Sequence, residues 1–188
     1  TTATYFTIET AYGYLNDALF DGRLPMCLVT FQRKNGAKGY FYAERFRNLD
    51  DDEITDEIAL NPQAAIGRTH KETLSTLAHE MVHLWQHHFG KPGRGSYHNR
   101  EWVHEMERIG LVPSDTGEPG GKQTGDRVTH YIVEGGPFDR AADDMLDQGF
   151  HVPYIDAEKR QPNQSKTKSK TRHTCPQCQQ NAWAKADA

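Results

Sequence analysis

The chain has 188 residues, 26% charged and 36% hydrophobic, with a formal net charge of −4 and a mean hydropathy of −0.83. That length suits one domain with a core of its own, and no stretch is apolar for long enough to span a membrane. Cys27, Cys175 and Cys178 make no disulfide framework, and no secretory-signal pattern is visible. A reducing, intracellular setting is expected, cytoplasmic with nucleoid or nucleus as alternatives.

Residues 5–21 read as an amphipathic helix, with Ile8, Ala11, Tyr12, Leu15 and Leu19 on one face. Gly22 and Pro25 end it. Cys27 to Phe31 and Lys38 to Phe46 read as strands, and Asn35-Gly36 between them is a hairpin signal. Cys27 itself reads as a small buried hydrophobe. Asp50-Asp51-Asp52-Glu53 reads as a solvated loop. Glu57 to Leu60 is a short third strand before Asn61-Pro62.

Thr69-His70-Lys71-Glu72 matches a capping box, and Gly90 followed by Pro92 is a stop. Between them Leu74, Leu77, Ala78, Met81 and Trp85 repeat at helical steps and form a core stripe. Beside that stripe runs His79-Glu80-Met81-Val82-His83, an H-E-x-x-H pattern. Residues four apart share a helix face with β-carbons about 5–6 Å apart, so both imidazoles can reach one metal ion. Glu80 points beside the ion, where a carboxylate can take a proton from a polarised water.

A catalytic zinc takes three protein ligands and keeps one open position. Three successive turns of a straight helix cannot surround an ion, so His87 reads as solvent-facing or supporting. The metzincin spacing is not met, because Gln86 and Phe89 stand at its Gly and His positions. Lys91 to about Ser96 is a Pro/Gly loop, and Asn99 is the N-cap of a second helix that buries Trp102, Val103, Met106 and Ile109. His98, just before that helix, is the favoured third ligand. Glu101 or Glu105 would instead give a His-His-Glu site, and His104 reads more simply as a surface residue.

Residues 113–126 read as a loop, Val128 to Val133 as a strand and Asp139 to Gln148 as a helix ended by Gly149. Residues 158–174 are polar and low in complexity, so they are expected to be disordered. Residues 159–173 carry six Lys/Arg (Lys159, Arg160, Lys166, Lys168, Lys170, Arg172) and no acid, whereas residues 1–158 carry 15 Lys/Arg against 25 Asp/Glu. Cys175 and Cys178 stand at C-x-x-C spacing. Two thiolates do not complete a tetrahedral site, and His173 is only a weak third donor.

HEMVHLWQHHFG, a Gly-rich loop and SYHNREWVHEMERIGL together resemble the SprT-like (Spartan-type) zinc metallopeptidase domain. The similarity extends upstream to Leu15–Pro25 and Glu57–Pro62, so it covers about residues 5–112. His79, Glu80, His83 and His98 match the family's four site positions. The resemblance implies an α+β, zincin-like fold, with a small antiparallel or mixed sheet packed on the H-E-x-x-H helix. Residues 1–112 are then the metallopeptidase core and 113–157 an accessory segment. Residues 158–188 are a basic tail, expected to be disordered, with half of a zinc ribbon, the incomplete structural zinc pair Cys175 and Cys178.

The implied activity is zinc-dependent hydrolysis of peptide bonds. Zn2+ is held by His79, His83 and His98, Glu80 acts as general base, and a second, structural zinc is expected only with the other ribbon half. Tyr97 is a candidate oxyanion stabiliser, with Arg94 and Arg100 as alternatives. The substrate is a protein, DNA-associated or crosslinked to DNA, and the basic tail 159–173 is the expected DNA contact. Such peptidases hold an extended substrate along an edge strand, here expected to be the third. Two competing readings are a non-catalytic nucleic-acid-binding or adaptor protein, in which Glu80 has no task, and a hydrolase of another substrate, which a deep closed pocket would favour.

Overall fold

The computed structural model describes residues 2–152, 155–157, 171–174 and 176–184. Helix α1 (Thr2–Phe20) buries Ile8, Ala11, Tyr12, Leu15 and Leu19, as its periodicity requires. Asn16 fastens the turn that follows: its amide donates to the Leu24 carbonyl and its oxygen accepts from the Leu24 N–H, both at 3.0 Å.

Strands β1 (Leu28–Phe31), β2 (Gly39–Arg47) and β3 (Ile54–Leu60) form one sheet in the order β1-β3-β2. β3 runs parallel to β1 and antiparallel to β2. Two expectations are corrected here. Asn35-Gly36 does make a turn, closed by the Ala37 N–H on the Lys34 carbonyl at 3.3 Å, but it joins no hairpin, because β3 inserts between β1 and β2. β3 is also the central strand, and the edge nearest α2 belongs to β2.

This central strand buries two neighbouring acids, Asp56 and Glu57. Each acid has its own partners inside the protein. Glu57 accepts from the Thr30 hydroxyl at 2.6 Å, and Asp56 accepts from the Glu44 N–H at 2.7 Å. The Glu44 amide reaches Asp56 because the β2 register shifts between Tyr42 and Phe46, with Glu44 itself at φ 52°.

Helix α2 (His70–Phe89) begins with both hydrogen bonds of the capping box and ends on Gly90. Val82 and Leu84 are buried as fully as the expected stripe, of which only Trp85 is partly exposed. α2 is therefore enclosed around most of its circumference rather than along one face. Helix α3 (Arg100–Arg108) starts at Asn99, whose side chain accepts from the Trp102 N–H. Gln86 ties the two helices, donating to Asn99 Oδ1 and Glu101 Oε2, each at 2.8 Å.

Strands β4 (Leu111–Ser114) and β5 (Thr129–Ile132) pair antiparallel, with Pro113 opposite His130. Pro113 and Ser114, read as loop, thus belong to a strand. Helix α4 (Pro137–Asp147) buries Phe138, Ala141, Ala142 and Met145. All these elements lie in one compact unit, Thr1–Asp156. Its helices and mixed sheets give an α+β architecture.

The second unit, Ala157–Ala188, contains a hairpin of β6 (Thr171–Thr174) and β7 (Asn181–Ala184), where the sequence led us to expect no regular element. Cys178 is exposed and free in the turn between these strands. Cys175 and residues 158–170, with most of the basic tail, lie outside the described residues. Among the described residues no helix is long and apolar enough to cross a membrane.

Candidate metal centre

The three imidazoles of the centre arrive on two supports. α2 presents His79 and His83 one turn apart, and the loop entering α3 presents His98. One ring nitrogen from each lies within 4.8 Å of the others. Trp102, fully buried on α3, forms the floor, with ring centroids 4.8, 5.1 and 4.3 Å from those of His79, His83 and His98. The sequence marked Trp102 only as core.

Two of the three tautomers follow from hydrogen bonding. The Nδ1 of His98 meets the Gly125 carbonyl at 2.8 Å, and a carbonyl only accepts, so His98 carries its proton on Nδ1 and turns a lone pair on Nε2 towards His83, 3.2 Å away. Gly125 is fixed by a two-way bridge to the His98 backbone.

His79 is set by a longer chain of bonds. The Ser75 hydroxyl donates to the Glu72 carbonyl at 2.9 Å, so it accepts from His130 Nε2, also at 2.9 Å. His130 then carries its proton on Nε2 and accepts through Nδ1 from His79 Nδ1 at 3.1 Å. That leaves the His79 Nε2 lone pair free for an ion. Ligand histidines in metalloproteins are oriented by such partners on the other ring nitrogen. No local signal in the sequence marks His130 or Gly125, because both come from the segment after α3 and reach the centre only through β4–β5 pairing and a loop return.

The electrostatics suit metal binding. Burial pushes His79 well below its usual pKa, helped by the neighbouring imidazoles, and pushes His83 down to about 3. Burial also lowers His98, against the pull of Gly125 and Asp126, and takes His130 to about 3. Neutral imidazoles are the form that ligates metal. Three neutral nitrogens, two with tautomers fixed outward, fit a borderline-soft divalent ion. The group can therefore hold a metal ion.

Glu80 is 5% exposed. Burial pushes its carboxyl up to about 8, while the Lys34 charge and the Phe41 amide oppose the rise. Gly39 makes room for it: a β-carbon there would sit 3.1 Å from Glu80 Oε1 and 2.9 Å from the Ala59 carbonyl.

The other carboxylates offered by the sequence are engaged elsewhere. Glu101 accepts from the Lys91 N–H and from Gln86, and Glu105 pairs with Arg108. Tyr97 lies on the loop before His98, 37% exposed, and Arg100 reaches towards Gln123. A cleft of about 300 Å³ runs past His83, between Phe41–Ala43 of β2 and Gln86 and His87 of α2, closed by Pro92 and Gly95. It is the β2 edge, not β3, that borders this cleft.

Residues 8–122 match the model of the SprT-like family. The chain belongs to the SprT-like family. This SprT-like chain is also similar to a Salmonella typhimurium protein described as "Uncharacterized protein in mucB 3'region". The two are 38% identical over 58 residues, which is 31% of this chain and 78% of that protein. No solved structure matches it. The SprT-like match covers the H-E-x-x-H helix and His98 and stops before His130.

Proposed function

We propose that the protein is a zinc-dependent endopeptidase of zincin-like design, acting on proteins associated with or crosslinked to DNA. The observation that carries the reading is Glu80, buried on the same helix as His79 and His83, with His98 facing them. A closed structural site takes four protein ligands; among the described residues this group holds three.

His79, His83 and His98 are the residues that would hold the ion. The chemistry supplied by bound zinc is Lewis acidity toward a carbonyl and a lowered pKa, from about 15.7 toward about 7, for a water in the open position. Glu80 takes the water's proton on a carboxylate oxygen and returns it to the leaving amine. The β2 edge at Phe41–Ala43 offers main-chain groups that can align an extended substrate along the cleft. Tyr97 is the candidate donor to the oxyanion, on the strength of its place beside His98.

The basic tail 159–173 is the proposed DNA contact, because the acidic body repels phosphate. The experiment is protein cleavage by zinc-loaded wild type and Glu80→Gln, with and without single-stranded DNA. Cleavage by wild type alone, stimulated by DNA, supports the whole reading. Cleavage without DNA dependence removes the DNA part, and cleavage by both proteins removes Glu80 from the mechanism.

A further inference from the structure

We propose that Asp56, His87 and His88 form a second site for a divalent ion of the zinc, cobalt or nickel class, at the rim of the cleft. One donor atom from each of these residues lies within 4.8 Å of the others, the same closeness that His79, His83 and His98 show. Two imidazoles and a carboxylate are a donor set such ions accept.

The fold builds this site from three elements. The last turn of α2 delivers the two histidines side by side, ring centroids 4.9 Å apart. β3 delivers Asp56, whose side chain is 8% exposed. The β2 bulge delivers the Glu44 N–H, which holds Asp56 Oδ1 at 2.7 Å and leaves Oδ2 facing His88 Nε2, also at 2.7 Å. The carboxylate is thus oriented by a backbone donor, the kind of support that metal-ligating carboxylates have.

An Asp56–His88 ion pair by itself explains only two of the three groups. It gives no reason for a His87 nitrogen to stand close to both, with the His87 ring 5.8 Å from that of Phe41 on the cleft wall. The negative end of the α2 dipole adds to the preference for a cation there. His87 follows His83 by one helical turn, about 5.4 Å of rise. An ion at the second site therefore adds positive charge to the cleft beside the β2 edge, where it can meet an acidic side chain of a bound peptide. Its affinity is the lower of the two, because the ion must displace the Asp56–His88 contact.

The test is a Co2+ titration against a chromophoric chelator, using the full chain with Cys175→Ser and Cys178→Ser so that thiols contribute nothing. The expected result is two equivalents. His87→Ala and Asp56→Asn each lose the weaker one and keep the tighter one, while His79→Ala does the reverse. His87 is partly exposed and free of ion pairs among the described contacts, so its replacement leaves the fold intact and decides the matter if Asp56→Asn unfolds. Bound Co2+, whether one equivalent or two, that is unchanged by His87→Ala overturns the proposal. Loss of the tighter equivalent alone would count against the first centre and leave the second standing.

Discussion

His79 and His130 meet through their Nδ1 atoms at 3.1 Å, and only one direction of that bond is compatible with the Ser75 hydroxyl donating to the Glu72 carbonyl. His130 therefore acts as an acceptor that keeps the His79 lone pair on Nε2. His130→Leu removes the acceptor, and zinc affinity is expected to fall by about 10–100-fold, the usual effect of losing such a partner. His130→Gln has both an acceptor and a donor and is expected to recover part of the loss. Chelator competition measures both variants, with thermal melts to separate metal binding from folding. Equal affinity in wild type and His130→Leu would show that the tautomer is set by something else.

Gly39 is the position where β2 passes closest to Glu80. Its backbone is not in the glycine-favoured region; the constraint is space, since a β-carbon would lie 2.9 Å from the Ala59 carbonyl across the ladder. Gly39→Ala is expected to destabilise the fold by about 1–3 kcal/mol, the typical result of overpacking. It should also lower cleavage more than metal content, because the same β-carbon presses on the Glu80 carboxylate. Urea melts and metal analysis check the two halves. An unchanged melt would mean that β2 yields at no cost.

The helices were legible in the sequence because their signals are local. Thr69, Glu72, Gly90 and Asn99 mark ends, and the 3.6-residue repeat marks faces. His98 is read from its position just before a cap, and the structure brings it to His79 and His83. The sheet order was not legible. A two-residue turn signal does not say whether a later strand will insert, and alternation looks alike in edge and central strands. Asp56 drew no reading from the sequence, because its partners, Glu44 and His88, come from a bulge and a helix end that no local pattern announces. His130 was invisible for a similar reason: its distance from His79 depends on pairing between Pro113 and His130.

The capping box makes a pH prediction away from the metal centre. The Thr69 N–H donates to Glu72 at 2.7 Å and, as the largest of several causes, holds the Glu72 carboxyl below its ordinary value of 4.5. A carboxyl with a lowered folded-state pKa contributes stability that is present above the unfolded value and lost as pH falls through the folded one. Glu72→Gln is therefore expected to be less stable than wild type at pH 7. A charge at a helix N-terminus contributes about 0.3–1 kcal/mol. The gap should close as pH drops below about 4.5. Urea melts at pH 7 and pH 3.5 measure it; a gap that persists at the lower pH would assign the loss to packing.

Glu80 sets function against stability. Its carboxyl is enclosed by α2, β2 and Thr76, and burial favours the neutral form. The unfolded chain solvates the ionised carboxylate, so folding must neutralise or desolvate it. Glu80→Gln keeps the shape without the charge. The variant is expected to lose cleavage, keep its metal, and melt higher than wild type when both are metal-free. Each kcal/mol relieved corresponds to about 2–4 °C for a chain of this size. A lower melting point for the metal-free variant would mean that the Phe41 amide and Lys34 stabilise the carboxylate by more than burial disfavours it.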